Sequence, residues 1–257
     1  MNRNSKIHAL DFIRVNVSAD FRLEAAQNRL GVFWWFMEPL MMMAIFYVVF
    51  GLVLERGGNG FVYYLLVGIS SWMWFTSTVT RTMNSISRSA QLIQQIYIPK
   101  YLLPCVAVSV EFLKSMIVFA LLLALLAGLK GVTMSWLHLP IVMLTQLLFS
   151  AACGVVMAGL VPFANDLKFV VQLSLRALMF LSGVFFLIDD KIPQPYVDYL
   201  LLNPMANIIT ELRNVLVDGM APNWPLIITI NSLSIFLLVI GFGLIHHFDR
   251  RYPKVLL

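Results

Sequence analysis

Four charged side chains interrupt the long apolar runs of this 257-residue sequence, and they are the residues best placed to do chemistry in it. They are Glu38, Glu111, Lys114 and Arg176. A charge at bilayer depth is costly, so such residues are candidates for function and usually pair with one another. Glu111 and Lys114 are three positions apart and share a helix face, which predicts an ion pair. We also expect Glu111 to pair with Arg176, which lies at a similar depth. A role in helix packing and a role in a conduit both remain open.

Aromatic side chains form the second group of interest, since 13% of the residues are Phe, Trp or Tyr. Rings stack on the apolar faces of sugars without demanding one sequence, so they would suit a conduit for a glycan. Helix packing and the aromatic belt at a membrane surface are the alternatives for each ring. The candidates for a conduit or gate are Tyr47, Trp72, Trp74, Phe75, Tyr196 and Tyr199.

The sequence lacks the motifs that would let the chain catalyse a reaction by itself. It contains no G-x-x-x-x-G-K-[ST] loop for ATP phosphates. No His, Cys or acidic residues have the spacing of metal ligands, and His246-His247 are more typical of a membrane interface. We therefore expect a transport subunit that is not an enzyme, holds no metal or cofactor, and takes its energy from a partner.

The elements that position these side chains are helices in lipid. Hydrophobic residues make up 60% of the chain and charged residues 12%, against about 25% charged in soluble domains. A helix needs about 20 mostly apolar residues to cross a bilayer. We predict an all-α membrane protein with six transmembrane helices, at about residues 33–54, 61–80, 102–129, 137–163, 169–188 and 224–246.

One further apolar stretch, residues 196–217, is not predicted to span the membrane. It contains a proline, Pro204, and three charged residues, Asp198, Glu211 and Arg213, each costly at a helix centre. Pro204 forbids a continuous helix and Gly219 is a typical helix stop. We predict two short helices folded as a re-entrant hairpin over residues 189–219, enclosed by protein or a water-filled cavity.

Lysine and arginine collect on one side of the six predicted spans. That side carries Arg3, Lys6, Arg14, Arg22, Arg29, Arg81, Arg88, Lys100, Lys168, Arg250, Arg251 and Lys254, and the other carries Arg56, Lys130, Lys191 and Arg213. The positive-inside rule then places both termini in the cytoplasm. The net charge of +5 follows from this topology, and the spread of the cations over several loops argues against nucleic-acid binding.

Two segments on the cytoplasmic side of this topology are predicted to be helical without crossing the membrane. In the arm over residues 1–29, Leu10, Ile13, Val17 and Phe21 recur at helical spacing. This amphipathic helix lies in the membrane interface or packs on a partner. Residues 88–101 mix polar and apolar positions, and they predict two or three helical turns along the membrane surface.

In order and spacing, several short motifs resemble the ABC type-2 permease family, in particular its exporters of O-antigen, capsule and teichoic acid. They are Leu30-Gly31, Trp34, Glu38-Pro39, the run 98–104 with Ile98-Pro99-Lys100 at its start, Asn203-Pro204-Met205 and Glu211-Leu212-Arg213. The likeness covers nearly the whole chain. It implies a transmembrane domain over residues 30–254 that pairs with a second copy in a bacterial inner membrane.

The resemblance also implies partners. Two separate ATP-binding subunits would hold ATP and magnesium and dock on a coupling segment, and the substrate would be a lipid-linked glycan. The coupling residues implied in this way are Arg88, Leu92, Ile93, Gln95, Ile96, Pro99 and Lys100. The hairpin over 189–219 would be an external gate. A permease for a small molecule or lipid is the alternative within the family. A transporter or membrane enzyme working alone is disfavoured, since no internal repeat or catalytic cluster is evident.

Overall fold

The computed structural model describes residues 3–27, 31–49, 60–95, 98–186 and 196–255, and the regular structure in these ranges is helical. The helices are α1 Arg3–Gln27, α2 Trp34–Phe46, α3 Phe61–Met83, α4 Ser85–Arg88, α5 Ala90–Gln95, α6 Leu102–Lys130, α7 Leu139–Leu160, α8 Leu167–Leu181, α9 Tyr196–Leu201, α10 Pro204–Arg213, α11 Trp224–Phe248 and α12 Tyr252–Val255. The all-α class predicted from the sequence is therefore confirmed for this part of the chain.

Within the described ranges, three helices are long and apolar enough to cross a membrane: Leu102–Lys130, Met134–Leu160 and Trp224–Phe248. They coincide with three of the six predicted spans. The stretch Trp34–Val49 is a shorter apolar helix, and α8 has 15 residues. The predicted ends of the first and fifth spans, 50–54 and 187–188, lie outside the described residues, so the count of six spans stays a prediction.

Helix α7 is central to the packing, with α11 and α3 against it. Small residues let these helices approach closely, as is common between helices in membranes. At Gly241 of α11, a Cβ atom would lie 2.9 Å from both the Val155 side chain and the Val156 backbone nitrogen of α7. Polar groups add to this contact: Gln146 of α7 donates to the Ser71 backbone carbonyl of α3 at 2.8 Å, and Ser71 donates to the Gln146 side-chain oxygen at 3.1 Å.

Helix α1 packs on α6 of its own chain. Val17 is buried against Val106 and Val110, and the Phe21 ring meets Trp35 edge-on with centroids 5.1 Å apart. Leu10 of the predicted apolar stripe is instead 69% exposed. The sequence predicted an amphipathic helix here but not that its own chain covers the apolar face.

The predicted helix break in the hairpin segment is confirmed. Helix α9 ends at Leu201, and α10 begins at Pro204, with the Asn203 side chain accepting a hydrogen bond from the Met205 backbone nitrogen at 3.0 Å. A π-helical turn, Asn214–Asp218, then ends at Gly219 in the left-handed conformation with φ of 71°. The residues at 187–195 lie outside the described part, and the re-entrant insertion remains a prediction.

Candidate functional site

Five charged side chains from α1, α3 and α6 form one ion cluster. Arg81 of α3 lies 2.9 Å from Asp20, contacts Glu24, and lies 3.4 Å from Glu111. Lys114 of α6 lies 3.0 Å from Glu24 and 2.9 Å from Glu111. The cluster therefore holds three carboxylates and two cations, and each cation contacts more than one carboxylate. The cluster joins α1 to α3 and α6.

The Glu111–Lys114 pair predicted from helical spacing is confirmed, and the predicted Glu111–Arg176 pair is wrong. The Glu111 carboxylate contacts Arg81 and Lys114 instead, while Arg176 is exposed on α8. Depth along two helices did not determine which way their side chains point, and on α8 the neighbouring Leu175 is the buried residue.

A cavity of about 80 Å³ lies beside this cluster, between α2, α3 and α6. It brings together three of the four charges picked out from the sequence, Glu38, Glu111 and Lys114. The Lys114 ammonium also lies 5.5 Å from the centre of the Trp35 ring, in range of a cation–π contact. Trp74 lines the same cavity, and its indole nitrogen is buried with no hydrogen-bond partner among the described residues.

A second cavity, of about 130 Å³, lies where α1, α4, α5 and α6 meet. Its polar lining residues are Asn16, Asp20, Arg81, Ser85, Arg88 and Ser89. Its apolar lining residues are Phe12, Leu92, Leu103, Val106 and Ala107. Arg81 lines this cavity and contacts Glu111, which lines the first one, so the ion cluster contributes residues to both cavities.

The candidate coupling residues divide between buried and exposed positions. Ile93 is 6% exposed and belongs to an apolar cluster with Ile245 and Tyr252. Lys100 is 2% exposed and forms an ion pair with Asp249 at 3.6 Å. Both are held by their own chain, so a substitution at either also removes an internal contact.

The remaining candidate coupling residues lie closer to the surface. Arg88 and Gln95 are exposed, and Leu92 and Pro99 are half-buried. Ile96 lies outside the described residues. Among the described residues of this segment, the exposed ones are Arg88, the glutamines of α5 and Tyr101.

Arg213 anchors α10 through partners that could not be predicted from the residue pattern. The guanidinium donates to the backbone carbonyls of Tyr64, Gly183, Phe186 and Val184 at 2.7–3.2 Å. An arginine stays protonated, and here its donors are satisfied by carbonyl oxygens of α3 and of the turn after α8. The glycine of α3 at position 68 makes room, since a Cβ there would lie 2.6 Å from Arg213 Nη2.

The π-helical turn after α10 is fastened to the connection between α6 and α7. Ser135 donates to the Val215 carbonyl at 2.7 Å, and Trp136 Nε1 donates to the Leu216 carbonyl at 3.3 Å. Lys130 donates to the carbonyl of the next residue in the turn. On α9, Tyr199 is 66% exposed, and the Leu201 carbonyl accepts a hydrogen bond from the Asn207 side chain at 2.7 Å. The second half of the hairpin is therefore held firmly by the rest of the chain.

Most candidate conduit aromatics are packed inside this chain. Trp72, Trp74 and Phe75 are at most 5% exposed. The Trp74 ring meets that of Phe119 at 5.6 Å, and the Phe75 ring stacks on that of Phe149 at 5.7 Å. This placement favours the packing alternative for these three. Tyr47 packs partly buried against the core, and the Tyr196 side chain is outside the described part of the structure.

Comparison with known proteins gives this arrangement a family. Residues 12–217 match the ABC-2 type transporter family. The chain is 23% identical over 252 residues to the O-antigen export system permease protein RfbA of Klebsiella pneumoniae, covering 97% of this chain and 96% of that protein. It is 25% identical over 214 residues to the RfbA of Myxococcus xanthus, covering 81% of each.

A transport protein named for a different polysaccharide is also similar to this chain. The polysialic acid transport protein KpsM of Escherichia coli is 25% identical over 227 residues, covering 86% of this chain and 85% of that protein. The order of the motifs, the helical fold and these matches agree. The chain is a membrane permease that belongs to the ABC-2 type transporter family.

Proposed function

We propose that this chain is the permease subunit of an ATP-driven exporter that moves a lipid-linked polysaccharide, O-antigen or capsule, across the bacterial inner membrane. The observation that carries the proposal is similarity over 81–97% of the chain to permeases for O-antigen export and polysialic acid transport. Similarity of this extent covers the α1 arm, the predicted coupling segment and the hairpin together.

The path for the substrate lies between two copies of the chain. Helix α8 supports this arrangement, because only Leu175 of its 15 residues is buried within the chain, while Arg176 is exposed. An arginine facing lipid at a helix centre costs about 2.5–3.5 kcal/mol on insertion scales. A water-filled path lined by α8 of both copies removes this cost.

The ATP-binding subunits dock on the cytoplasmic surface of the coupling segment, formed chiefly by the glutamines of α5, and ATP and magnesium bind to those subunits. The contacts around α5 support the transmission of a movement from the ATP-binding subunits to the transmembrane helices. Ile93 packs against α11 and α12 through Ile245 and Tyr252, and Lys100 is paired with Asp249. Movement of α5 therefore displaces the end of α11 and the start of α6 together.

In this proposal the transmembrane domain covers residues 30–254, with six spans and both termini in the cytoplasm. The hairpin over 189–219 is the external gate. Because α10 is held by Arg213 and the π-helical turn by the connection between α6 and α7, α9 is the part that moves. The bend at Asn203-Pro204 is its hinge.

The proposed function is tested by deleting the gene and locating the polymer. We expect undelivered glycan to accumulate in the cytoplasm and surface glycan to disappear, with both effects reversed by the wild-type chain. A matched strain carries a chain with the exposed Arg22 replaced by glutamine and is expected to export normally. Unchanged surface glycan together with increased sensitivity to a small toxic compound would instead support the small-molecule permease.

A further inference from the structure

We propose that the 130 Å³ cavity between α1, α4, α5 and α6 binds the phosphate ester of a membrane lipid, and that this ester is the linker of the lipid-linked glycan. The identity of the linker rests on the proposed function. The phosphate chemistry does not, because it follows from the residues that line the cavity.

Arg88 is the cation that this cavity offers to a ligand. Arg81 also lines the cavity but already contacts Asp20, Glu24 and Glu111. Arg88 forms no salt bridge with the part of the chain that the structure describes. A guanidinium in this state matches the geometry of phosphate oxygens, to which it can donate two parallel hydrogen bonds.

Uncharged donors surround this arginine. Asn16 donates one amide N–H to the Phe12 carbonyl at 2.8 Å, and an amide carries a second N–H. Ser89 lines the cavity too and carries a hydroxyl donor, whereas the hydroxyl of Ser85 already donates to the Thr82 carbonyl at 2.7 Å. A volume of about 130 Å³ equals the liquid volume of about four water molecules and so admits a phosphate group.

The lining of the cavity favours a lipid over a free anion. It is divided between polar side chains and apolar ones, among them Phe12, Leu92 and Leu103. A lipid phosphate has this division, since an apolar chain begins where the charged group ends. In the proposed topology α1 and α5 lie at the cytoplasmic surface of the membrane, the level of lipid phosphates, where basic pockets between helices bind head groups.

The test measures binding of polyprenyl diphosphate to the purified full-length chain by native mass spectrometry. We expect Arg88→Gln to weaken the affinity about tenfold, because a charge-assisted hydrogen bond is lost, and Arg88→Lys to recover part of it. Arg22→Gln, at an exposed arginine of α1 away from the cavity, should leave the affinity unchanged. Equal affinities in wild type and Arg88→Gln, at equal melting temperatures, would overturn the site.

A second variant changes the affinity in the opposite direction. Asp20 lines the cavity and its carboxylate repels a phosphate, so Asp20→Asn is expected to bind polyprenyl diphosphate several-fold more tightly. A merely structural role for Asp20 predicts the reverse, because its contact with Arg81 is lost. Weaker binding by Asp20→Asn would therefore count against the proposal.

Competing ligands identify the source of the phosphate. Polyprenol without phosphate should bind far more weakly, and equal binding would overturn the phosphate site. Displacement by inorganic pyrophosphate at equal concentration would overturn the assignment to a lipid. Equal displacement by phosphatidylglycerol would support a lipid-phosphate site and overturn the glycan linker. Binding that depends on Arg88 in a chain whose deletion leaves glycan export intact would refute the proposed function and leave the site standing.

Discussion

Replacing Arg81 by glutamine tests the ion cluster directly, because three carboxylates share this cation. The guanidinium contacts Asp20, Glu24 and Glu111. Glutamine can still donate a hydrogen bond but carries no charge. The substitution therefore leaves Glu24 and Glu111 with Lys114 alone and removes the ion pair of Asp20, so α1 loses its charged contacts with α3.

The expected loss of stability is about 3 kcal/mol. Removing one partner of a buried ion pair costs about 3–5 kcal/mol. The three contacts contribute unequally, since the Glu111 side chain is 6% exposed and that of Asp20 is 43% exposed, where solvent limits a pair to about 1 kcal/mol. Lys114 also remains near Glu24 and Glu111, which places the estimate at the lower end of the range.

The assay is unfolding of the purified chain in mixed micelles with increasing sodium dodecyl sulfate, followed by tryptophan fluorescence. The exposed Arg22→Gln on α1 is the control and should change the free energy of unfolding by less than about 0.5 kcal/mol. The loss of unfolding free energy in the double variant Arg81→Gln/Glu24→Gln should be about 1–3 kcal/mol smaller than the sum of the losses in the two single variants. Additive single effects, or an Arg81→Gln variant as stable as the control, would refute the reasoning.

Three further substitutions test other parts of the structure by the same unfolding measurement. Arg213→Lys should lose about 2–4 kcal/mol, because an ammonium cannot reach the four carbonyls that the guanidinium joins; equal stability would contradict the anchor. Gly241→Leu should lower the free energy of unfolding by about 1–3 kcal/mol, because the larger side chain overpacks against α7. Gly243→Leu is its control and should change that free energy little, because a Cβ atom at Gly243 would meet nothing within 4 Å among the described residues. Burial, with a smaller contribution from a nearby carboxylate, raises the pKa of Tyr252 from 10.0 to about 12. Because the folded chain keeps the Tyr252 hydroxyl protonated, this residue stabilises the fold fully below pH 10, and the stabilisation is lost as the pH rises towards 12. Between pH 10 and pH 12, the free energy of unfolding of Tyr252→Phe should therefore fall less than that of wild type.

Local features of the fold could be predicted from the sequence because their cause lies in neighbouring residues. Pro204 lacks the backbone N–H that a continuous helix needs, and the helix does break at Asn203-Pro204. The Glu111–Lys114 pair follows from the rise and turn of one helix. Neither prediction needed knowledge of how helices pack.

Contacts between helices could not be predicted, since they depend on the rotation of each helix about its axis. Asp20 and Glu24 lie in the polar arm, far along the chain from Arg81, and only the packing of α1 on α6 brings them together. Arg176 failed as a partner for Glu111 for the same reason. The residue pattern correctly predicted helical turns within residues 88–101, where α5 lies, but it did not show that Ile93 and Lys100 face inward.

The position of Arg81 gives the two cavities a physical connection. It lines the cavity that we assign to a lipid phosphate, and it contacts Glu111, which lines the other cavity with Glu38 and Lys114. If the cavity binds a lipid phosphate as we propose, the anion beside Arg88 also attracts Arg81, which lines the same cavity, and so weakens the contacts of Arg81 with the carboxylates of α1. A movement that loosens α1 would in turn strengthen the binding of that anion, because the coupling between two sites is reciprocal. In the proposed exporter, substrate binding and the attachment of α1 would therefore be coupled electrostatically, next to the surface where the ATP-binding subunits would dock.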